Sequence, residues 1–229
     1  MPRKSVLVPK EIVIAEKPKQ NFKLLIAVPA TKTSHLPFQK RVLNVIHKAA
    51  EGYEFDLDVG EANENGWQFV VDQFNRVAER VVAEGYDYVL LVESDVFIAE
   101  NTLTHLFSVD ADVVAAVVPN HSYPNHPQLH ELHKNLVCVA KFRQPPEYWF
   151  TSLTRDDVKD KIITFKEEPQ LLAGTGCILV KRCVFEKGIR FVNAWVDKAG
   201  YDVIFWRDVA NAGFSGAVDG YVFCEHGDD

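Results

Sequence analysis

Residues 86–98 read Tyr-Asp-Tyr-Val-Leu-Leu-Val-Glu-Ser-Asp-Val-Phe-Ile. Tyr88 to Val92 is a run of β-formers too short for a helix and too apolar for an exposed loop, which predicts a buried strand covered on both faces. Glu93 and Asp95 follow at its carboxyl end, separated only by Ser94. In an open α/β sheet, ligands bind outside the carboxyl ends of the strands, so a strand that delivers two carboxylates there marks a candidate site. Two hard oxygen ligands so close together favour a divalent cation such as Mg²⁺ or Mn²⁺. An isolated acidic triplet more often just begins a turn; its weight here comes from Asp202 and His226, far along the chain.

Upstream of this strand lies the cleanest helical pattern in the sequence. Over residues 66–84, Trp67, Val70, Val71, Phe74, Val77, Ala78, Val81 and Val82 recur at helical spacing, with Gly85 as the stop. Two earlier strands are predicted at Leu24 to Val28, ending in Pro29-Ala30-Thr31, and at Phe55 to Val59, closed by Gly60. A helix from about Pro37, stopped at Gly52, joins them. Downstream, a short helix near 100–107 leads to a further buried strand, Asp112 to Val118. The first half thus alternates strand and helix, the pattern of a parallel nucleotide-binding sheet. The second half is less regular. Residues 119–135 and 143–170 hold most of the prolines and histidines and read as long functional loops interleaved with edge strands. Order returns with a strand at Cys177 to Val180, a helix over about 202–212 capped by Gly213, and closing strands around Val218 to Phe223. Residues 1–22 are expected to form an N-terminal extension, and 23–229 a single α/β domain whose halves divide near residue 118.

Composition bounds the function. A chain of 229 residues with 47% hydrophobic and 25% charged side chains is an ordinary soluble globular protein. A net charge of −7 argues against a nucleic-acid coat or a basic membrane-surface protein. No apolar run approaches the roughly 20 residues a membrane span requires, and Pro9, Lys10, Glu11 and Glu16 interrupt any leader-like core. A cytoplasmic protein is the expectation. Cys138, Cys177, Cys183 and Cys224 form no Cys-x-x-Cys pair, so a structural zinc site is not expected.

With these pieces placed, the order resembles the glycosyltransferase A fold, and within it the broad family-two-like group. Four features spread over residues 23–227 carry the resemblance: Pro29-Ala30-Thr31 after the first strand, Phe74-Asn75-Arg76 within the long helix, Glu93-Ser94-Asp95 in place of an Asp-x-Asp motif, and a C-terminal set. That set is Gly174-Thr175-Gly176-Cys177 before a strand, Tyr201-Asp202 opening a helix, and Cys224-Glu225-His226. The resemblance implies a Rossmann-like, mostly parallel sheet flanked by helices, with a nucleotide-sugar half (23–118) and an acceptor or catalytic half (119–229). It implies a metal-dependent transfer of sugar from a nucleotide-sugar donor to a hydroxyl acceptor. Asp202 is then the catalytic base of an inverting enzyme, and Asp197 the fallback. Asp95, with His226 and Glu93, would hold Mn²⁺ or Mg²⁺, Glu93 more by contacting the ribose or a metal-bound water than the metal itself. Two departures stand out: Glu93 where the family has Asp, and Tyr201-Asp202 where it often has Glu-Asp. No Gln-x-x-Arg-Trp motif is present, which argues against a processive synthase.

Each residue also has a plainer reading. Asp at a helix start is a favoured cap. Asp58 and Glu61, after the second strand, are candidates to read the nucleobase or ribose, or loop acids facing solvent. Arg76 is a candidate for the base or a phosphate, or half of a salt bridge. Pro29, Ala30, Thr31, Glu93, Ser94 and Asp95 complete the expected donor site. His121, His126, His130 and His133 match no zinc spacing and read as an acceptor-side or diphosphate-covering loop. Tyr148, Trp149 and Phe150 read as a sugar-stacking or core cluster. The competing functions are a nucleotidyltransferase on a related sheet, and a non-catalytic sugar- or nucleotide-binding module. The sugar, the nucleobase and the acceptor (glycan, lipid, protein or small molecule) are not legible in the sequence.

Overall fold

The computed structural model describes residues 20–29, 36–60, 67–119, 136–142, 150–193 and 200–227. Its centre is a seven-stranded sheet. Strands β1 (Leu24–Val28), β2 (Phe55–Val59) and β3 (Tyr88–Val92) coincide with the apolar runs read from the sequence. They lie parallel, with β1 in the middle, so their carboxyl ends share one edge. Strand β5 (Val113–Val117) and strand β11 (Gly216–Phe223) run parallel to each other. Between β3 and β5 sits β10 (Cys177–Lys181), antiparallel to both. The edge strand β8 (Ile162–Thr164) is antiparallel to β11. The full order is β2-β1-β3-β10-β5-β11-β8, a mixed, mostly parallel sheet.

The reversal of β10 was not part of the sequence expectation, and its physical reason is local. A strand buried on both faces is a continuous apolar run whichever way it points. Ile178, Leu179 and Val180 are as buried as Val89 to Val92, so composition carries no direction. Because β10 runs backwards, the loop before it, Gly174-Thr175-Gly176, joins the edge where β1, β3 and β5 end.

Helices cover both faces. On one, α2 (Trp67–Ala83) buries Val71, Phe74, Val77, Ala78 and Val81 in one core with Val89 and Leu91 of β3 and with Val184 and Phe185. Gly85 follows with φ of 70°, a left-handed stop that a side chain would disfavour. Helix α6 (Tyr201–Asn211) adds Phe205, Trp206 and Val209 to the same core. On the opposite face, α1 (Leu36–Ala49) and α3 (Thr102–Ser108) pack Val42, Ile46, Leu103 and Leu106 against Leu90, Val92 and Val114. Two short helices, α4 (Arg155–Val158) and α5 (Arg182–Glu186), follow strands. A small sheet of β7 (Phe150–Thr154), β6 (Leu136–Phe142) and β9 (Leu171–Ala173) occupies the region read as loops with edge strands. The pair β4 (Val96–Phe97) and β12 (Glu225–His226) brings the last described residues back to the end of β3. Among the described residues no helix is long and apolar enough to cross a membrane.

Candidate functional site

The chain turns tightly after β3: the Val96 amide donates to the Glu93 carbonyl at 3.0 Å. This turn sends the two acids of the triplet to different partners. Asp95 meets His226, whose Nε2 is 3.5 Å from Asp95 Oδ2. The meeting is built by pairing, since His226 lies opposite Val96 in the β4–β12 ladder, and the Gly227 amide donates to the Asp95 carbonyl at 2.6 Å.

The His226 ring is oriented by the main chain. Its Nδ1 is 2.8 Å from the Pro119 carbonyl, and because a carbonyl only accepts, Nδ1 carries the proton. In the neutral ring the Nε2 lone pair therefore faces the Asp95 carboxylate. Two electron-pair donors directed together are favourable only with positive charge between them, supplied by a proton or a metal ion. Burial disfavours the charged ring, but Asp95 and the Pro119 carbonyl outweigh it and raise the His226 pKa. An imidazole nitrogen and a half-exposed carboxylate fit a divalent cation. Among the described residues, no group of three or more His, Cys, Asp or Glu side chains could hold a metal ion.

Glu93 turns inward. Its Oε1 accepts from the Thr175 hydroxyl at 2.7 Å and from the Tyr201 phenol at 2.8 Å. Burial, reinforced by the charge of Asp95, raises its pKa against the lowering effect of those two hydroxyls. Burial and the Glu93 charge together raise the Tyr201 pKa, so the phenol stays a donor. Thr175 is flanked by two glycines that the packing requires. A Cβ on Gly174 would lie 2.9 Å from the Cys138 Cβ, and one on Gly176 would lie 3.1 Å from Val118. Cys138 forms the floor of this region, near enough to Glu93, Asp202 and Asp95 to feel all three charges. Burial first, then those charges, push its thiol up to about 12.

Asp202 occupies the first turn of α6, one residue inside the helix; the N-cap itself is Gly200. Its Oδ1 accepts from the Val203 amide at 2.8 Å. The carboxylate folds back over Gly200 so closely that a Cβ there would lie 2.3 Å from Oδ1. Burial raises the Asp202 pKa despite the backbone amides that favour its charge. The side chain thus satisfies a helix-end amide and is also a desolvated carboxylate of raised basicity.

The other expected donor-site residues are placed as follows. Pro29 is buried at the end of β1, and Ser94 is buried within the turn. Asp58 is buried and accepts from Arg76 at 2.6 and 3.0 Å and from Arg80 at 2.9 Å. Burial alone would raise its pKa, but the two guanidinium groups lower it on balance. Asp58 is therefore engaged inside the fold, while Arg76 is half exposed. Asn75, beside it, is bonded reciprocally to the backbone of Phe191 at 2.9 Å in both directions. Ala30, Thr31, Glu61, Asp197, the four histidines at 121–133, Tyr148, Trp149 and the Phe150 side chain lie outside the described residues. Sequence reading named Thr175 and Tyr201 only as parts of motifs, and missed Gly200, Cys138 and the Pro119 carbonyl. The Gly-x-Asp spacing at 200–202 was the one available signal for the contact at Gly200.

No protein-family model matches this chain, and no curated protein matches it. Among solved structures it is similar to A197 from STIV, at 15% identity and a TM-score of 0.53, over 90% of this chain and 86% of that one. It is less similar to S. aureus TarS in complex with UDP, at 14% identity and a TM-score of 0.45, covering 89% of this chain and 60% of that one. GalNAc-T7, solved with UDP, GalNAc and Mn²⁺, gives 10% identity and a TM-score of 0.46, over 91% of this chain and 44% of that one. The chain thus spans less than two thirds of each of these two. The likeness to A197 is one of fold, and the two weaker ones carry no inference. In its element order, its mixed and mostly parallel sheet, and the meeting of its strand ends, the chain has a glycosyltransferase A-like fold.

Proposed function

We propose that the protein is a metal-dependent, inverting glycosyltransferase that moves a sugar from a nucleotide-sugar donor to a hydroxyl acceptor. One observation carries the reading. The sheet edge where β3 and β5 end brings together an Asp–His pair of metal-ligand chemistry and a separate, partly buried carboxylate, Asp202, at a helix N-terminus.

The division of labour follows from the geometry. Asp95 and His226 are the residues that would hold Mn²⁺ or Mg²⁺, and two protein ligands leave the other positions to donor phosphate oxygens and water. When bound, the cation supplies positive charge to the leaving diphosphate. The Pro119 carbonyl fixes the His226 tautomer that presents Nε2. An acceptor hydroxyl titrates far above neutrality and needs a base; Asp202, with its raised pKa, takes that proton onto its carboxylate. Arg76 remains the candidate to face the nucleobase or a phosphate, with Asp58 orienting its guanidinium. Pro29 and Ser94, with Ala30, Thr31 and Glu61, complete the proposed donor site.

The test is a thermal-shift screen of UDP-, GDP-, ADP-, CMP- and dTDP-linked sugars and of the nucleoside triphosphates, each with Mn²⁺, Mg²⁺ or EDTA. A ligand that binds only the folded state raises the midpoint by mass action. The expected result is one nucleotide that stabilises only with metal, the effect vanishing in Asp95→Ala. Stabilisation by a nucleoside triphosphate in preference to every sugar nucleotide would favour a nucleotidyltransferase. No shift with any donor would reject the reading.

A further inference from the structure

Glu93 and Tyr201 are 108 residues apart in sequence and 2.8 Å apart in space. Every part of the link is held rigidly. The Glu93 amide donates to the Gly176 carbonyl at 3.0 Å, so the backbone that carries Glu93 is bonded to the loop that carries Thr175. Thr175 is 2% exposed, and its hydroxyl shares Glu93 Oε1 with the phenol. The Tyr201 ring is 7% exposed and packs against Phe74 and Phe191, with centroids 5.8 and 6.4 Å away. Phe191 is itself stacked on Phe74 and clamped to α2 through Asn75. The enclosed phenol donates to Glu93 and lies beside the Thr175 hydroxyl that shares the same carboxylate oxygen.

We propose that Glu93 is not a metal ligand but a positioning residue, which together with Tyr201 and Thr175 pins the first turn of α6 to the turn after β3. The consequence is geometric. Asp95 lies two residues after Glu93, and Asp202 one residue after Tyr201. The Glu93–Tyr201 bond therefore sets the separation between the metal-binding carboxylate and the base carboxylate through the shortest covalent path on either side. A tie of this kind contributes little to holding the donor and much to aligning the base with the reacting centre, because catalysis depends steeply on alignment. This inference rests on the glycosyltransferase reading for its kinetic consequence, but the tie itself has a signature that needs no turnover.

The experiment compares wild type with Tyr201→Phe, Glu93→Ala, Glu93→Gln and Asp95→Ala. Three readouts are taken: Mn²⁺ binding by electron paramagnetic resonance, amide exchange over residues 200–206 by mass spectrometry, and steady-state transfer with the donor found by thermal shift. Tyr201→Phe keeps the ring and its packing and loses only the hydroxyl. It is expected to leave Mn²⁺ affinity within about twofold and to speed exchange in the first turn of α6. Its kcat is expected to fall by roughly tenfold to a hundredfold with little change in donor KM. Glu93→Gln retains an oxygen that accepts from both hydroxyls, and recovers most of what Glu93→Ala loses, again with Mn²⁺ bound. Asp95→Ala loses Mn²⁺. Loss of Mn²⁺ binding in Glu93→Gln, or wild-type exchange and kcat in Tyr201→Phe, would overturn the proposal. Absence of transfer in the wild type would instead reject the glycosyltransferase reading, and the exchange and Mn²⁺ measurements would still decide whether the tie exists.

Discussion

Replacing Gly200 with alanine tests whether Asp202 is the base without touching Asp202 itself. Gly200 has φ of −67° and ψ of 157°, which alanine adopts without backbone strain. The added Cβ would meet Asp202 Oδ1 at 2.3 Å, where at least 3.0 Å is needed, so the carboxylate must retreat by about 0.7 Å. Its Cγ, at 3.4 Å, and Oδ2, at 4.0 Å, are already clear, so rotation of one side chain relieves the clash. The retreat breaks the bond to the Val203 amide, a cost of about 1.5 kcal/mol for a charged acceptor. The lower unfolded-state entropy of alanine returns about 0.5 kcal/mol. The net loss of about 1 kcal/mol lowers the midpoint by only about 3 °C in a domain of this size. Activity responds differently, because misplacing a reacting group by about 1 Å costs on the order of a hundredfold. Gly200→Ala is thus predicted to fold, to bind donor and Mn²⁺ as wild type does, and to lose roughly tenfold to a hundredfold in kcat. The assay is thermal melting beside steady-state kinetics at saturating donor and metal. A folded variant with full kcat would refute the reasoning, since a base that can be displaced freely is not the base.

Asp202→Asn is predicted to lower kcat by roughly 10²–10⁴-fold while sparing donor binding; comparable residual activity would remove Asp202 from the mechanism. Because burial raises the Asp202 pKa, the acidic limb of kcat/KM should lie above the ordinary aspartate value of about 3.9. A pH–rate profile with its limb at or below that value would contradict the assignment. His226→Ala should abolish the metal-dependent part of donor stabilisation in a thermal-shift assay, and an unchanged metal response would exclude it as a ligand. Asp58→Ala leaves Arg76 and Arg80 without their shared carboxylate. With Arg76 half exposed, this should cost about 2 kcal/mol near neutral pH, between the surface and buried limits. The Asp58 pKa is lowered in the fold, so its contribution is complete above the unfolded value of about 3.9 and fades as pH falls through the folded value. Melting curves of wild type and Asp58→Ala should therefore converge in acid, and a constant gap would refute the pairing.

The parts of the fold that were legible in the sequence are those decided by burial. Strands β1 and β3 and helix α2 announce themselves because each buries an apolar run or stripe. Strands β8 and β9 do not: they span three residues each, too few for a period to repeat. Direction was illegible even where existence was not, as β10 shows. At the site, Asp95 and His226 could be singled out by type and position, since a carboxylate after one strand and a histidine after another are unusual company. Their meeting depends on the β4–β12 pairing, each strand only two residues long, which no propensity encodes. Glu93 was grouped with the metal because it shares a triplet with Asp95. The turn that separates the two, and the phenol that claims Glu93, appear only when chain segments 108 residues apart are brought together.

The reversed central strand also bears on how the chain reaches its native state. A nascent chain that has emerged as far as residue 118 contains β1, β2, β3 and β5, but β3 and β5 are not neighbours in the sheet. Each meets β10, which is translated some 60 residues later, and until then two apolar strand edges stand open beside each other. Such edges invite pairing with other chains. The segment 23–118 would therefore be poorly suited to life as an isolated fragment, although its strand and helix pattern reads as self-sufficient. Closure of the sheet waits on a contact of high sequence separation, of the kind that slows folding, and it comes only with Cys177–Lys181. The same strand that carries Thr175 to the site is the one whose insertion commits the two halves to a single cooperative unit.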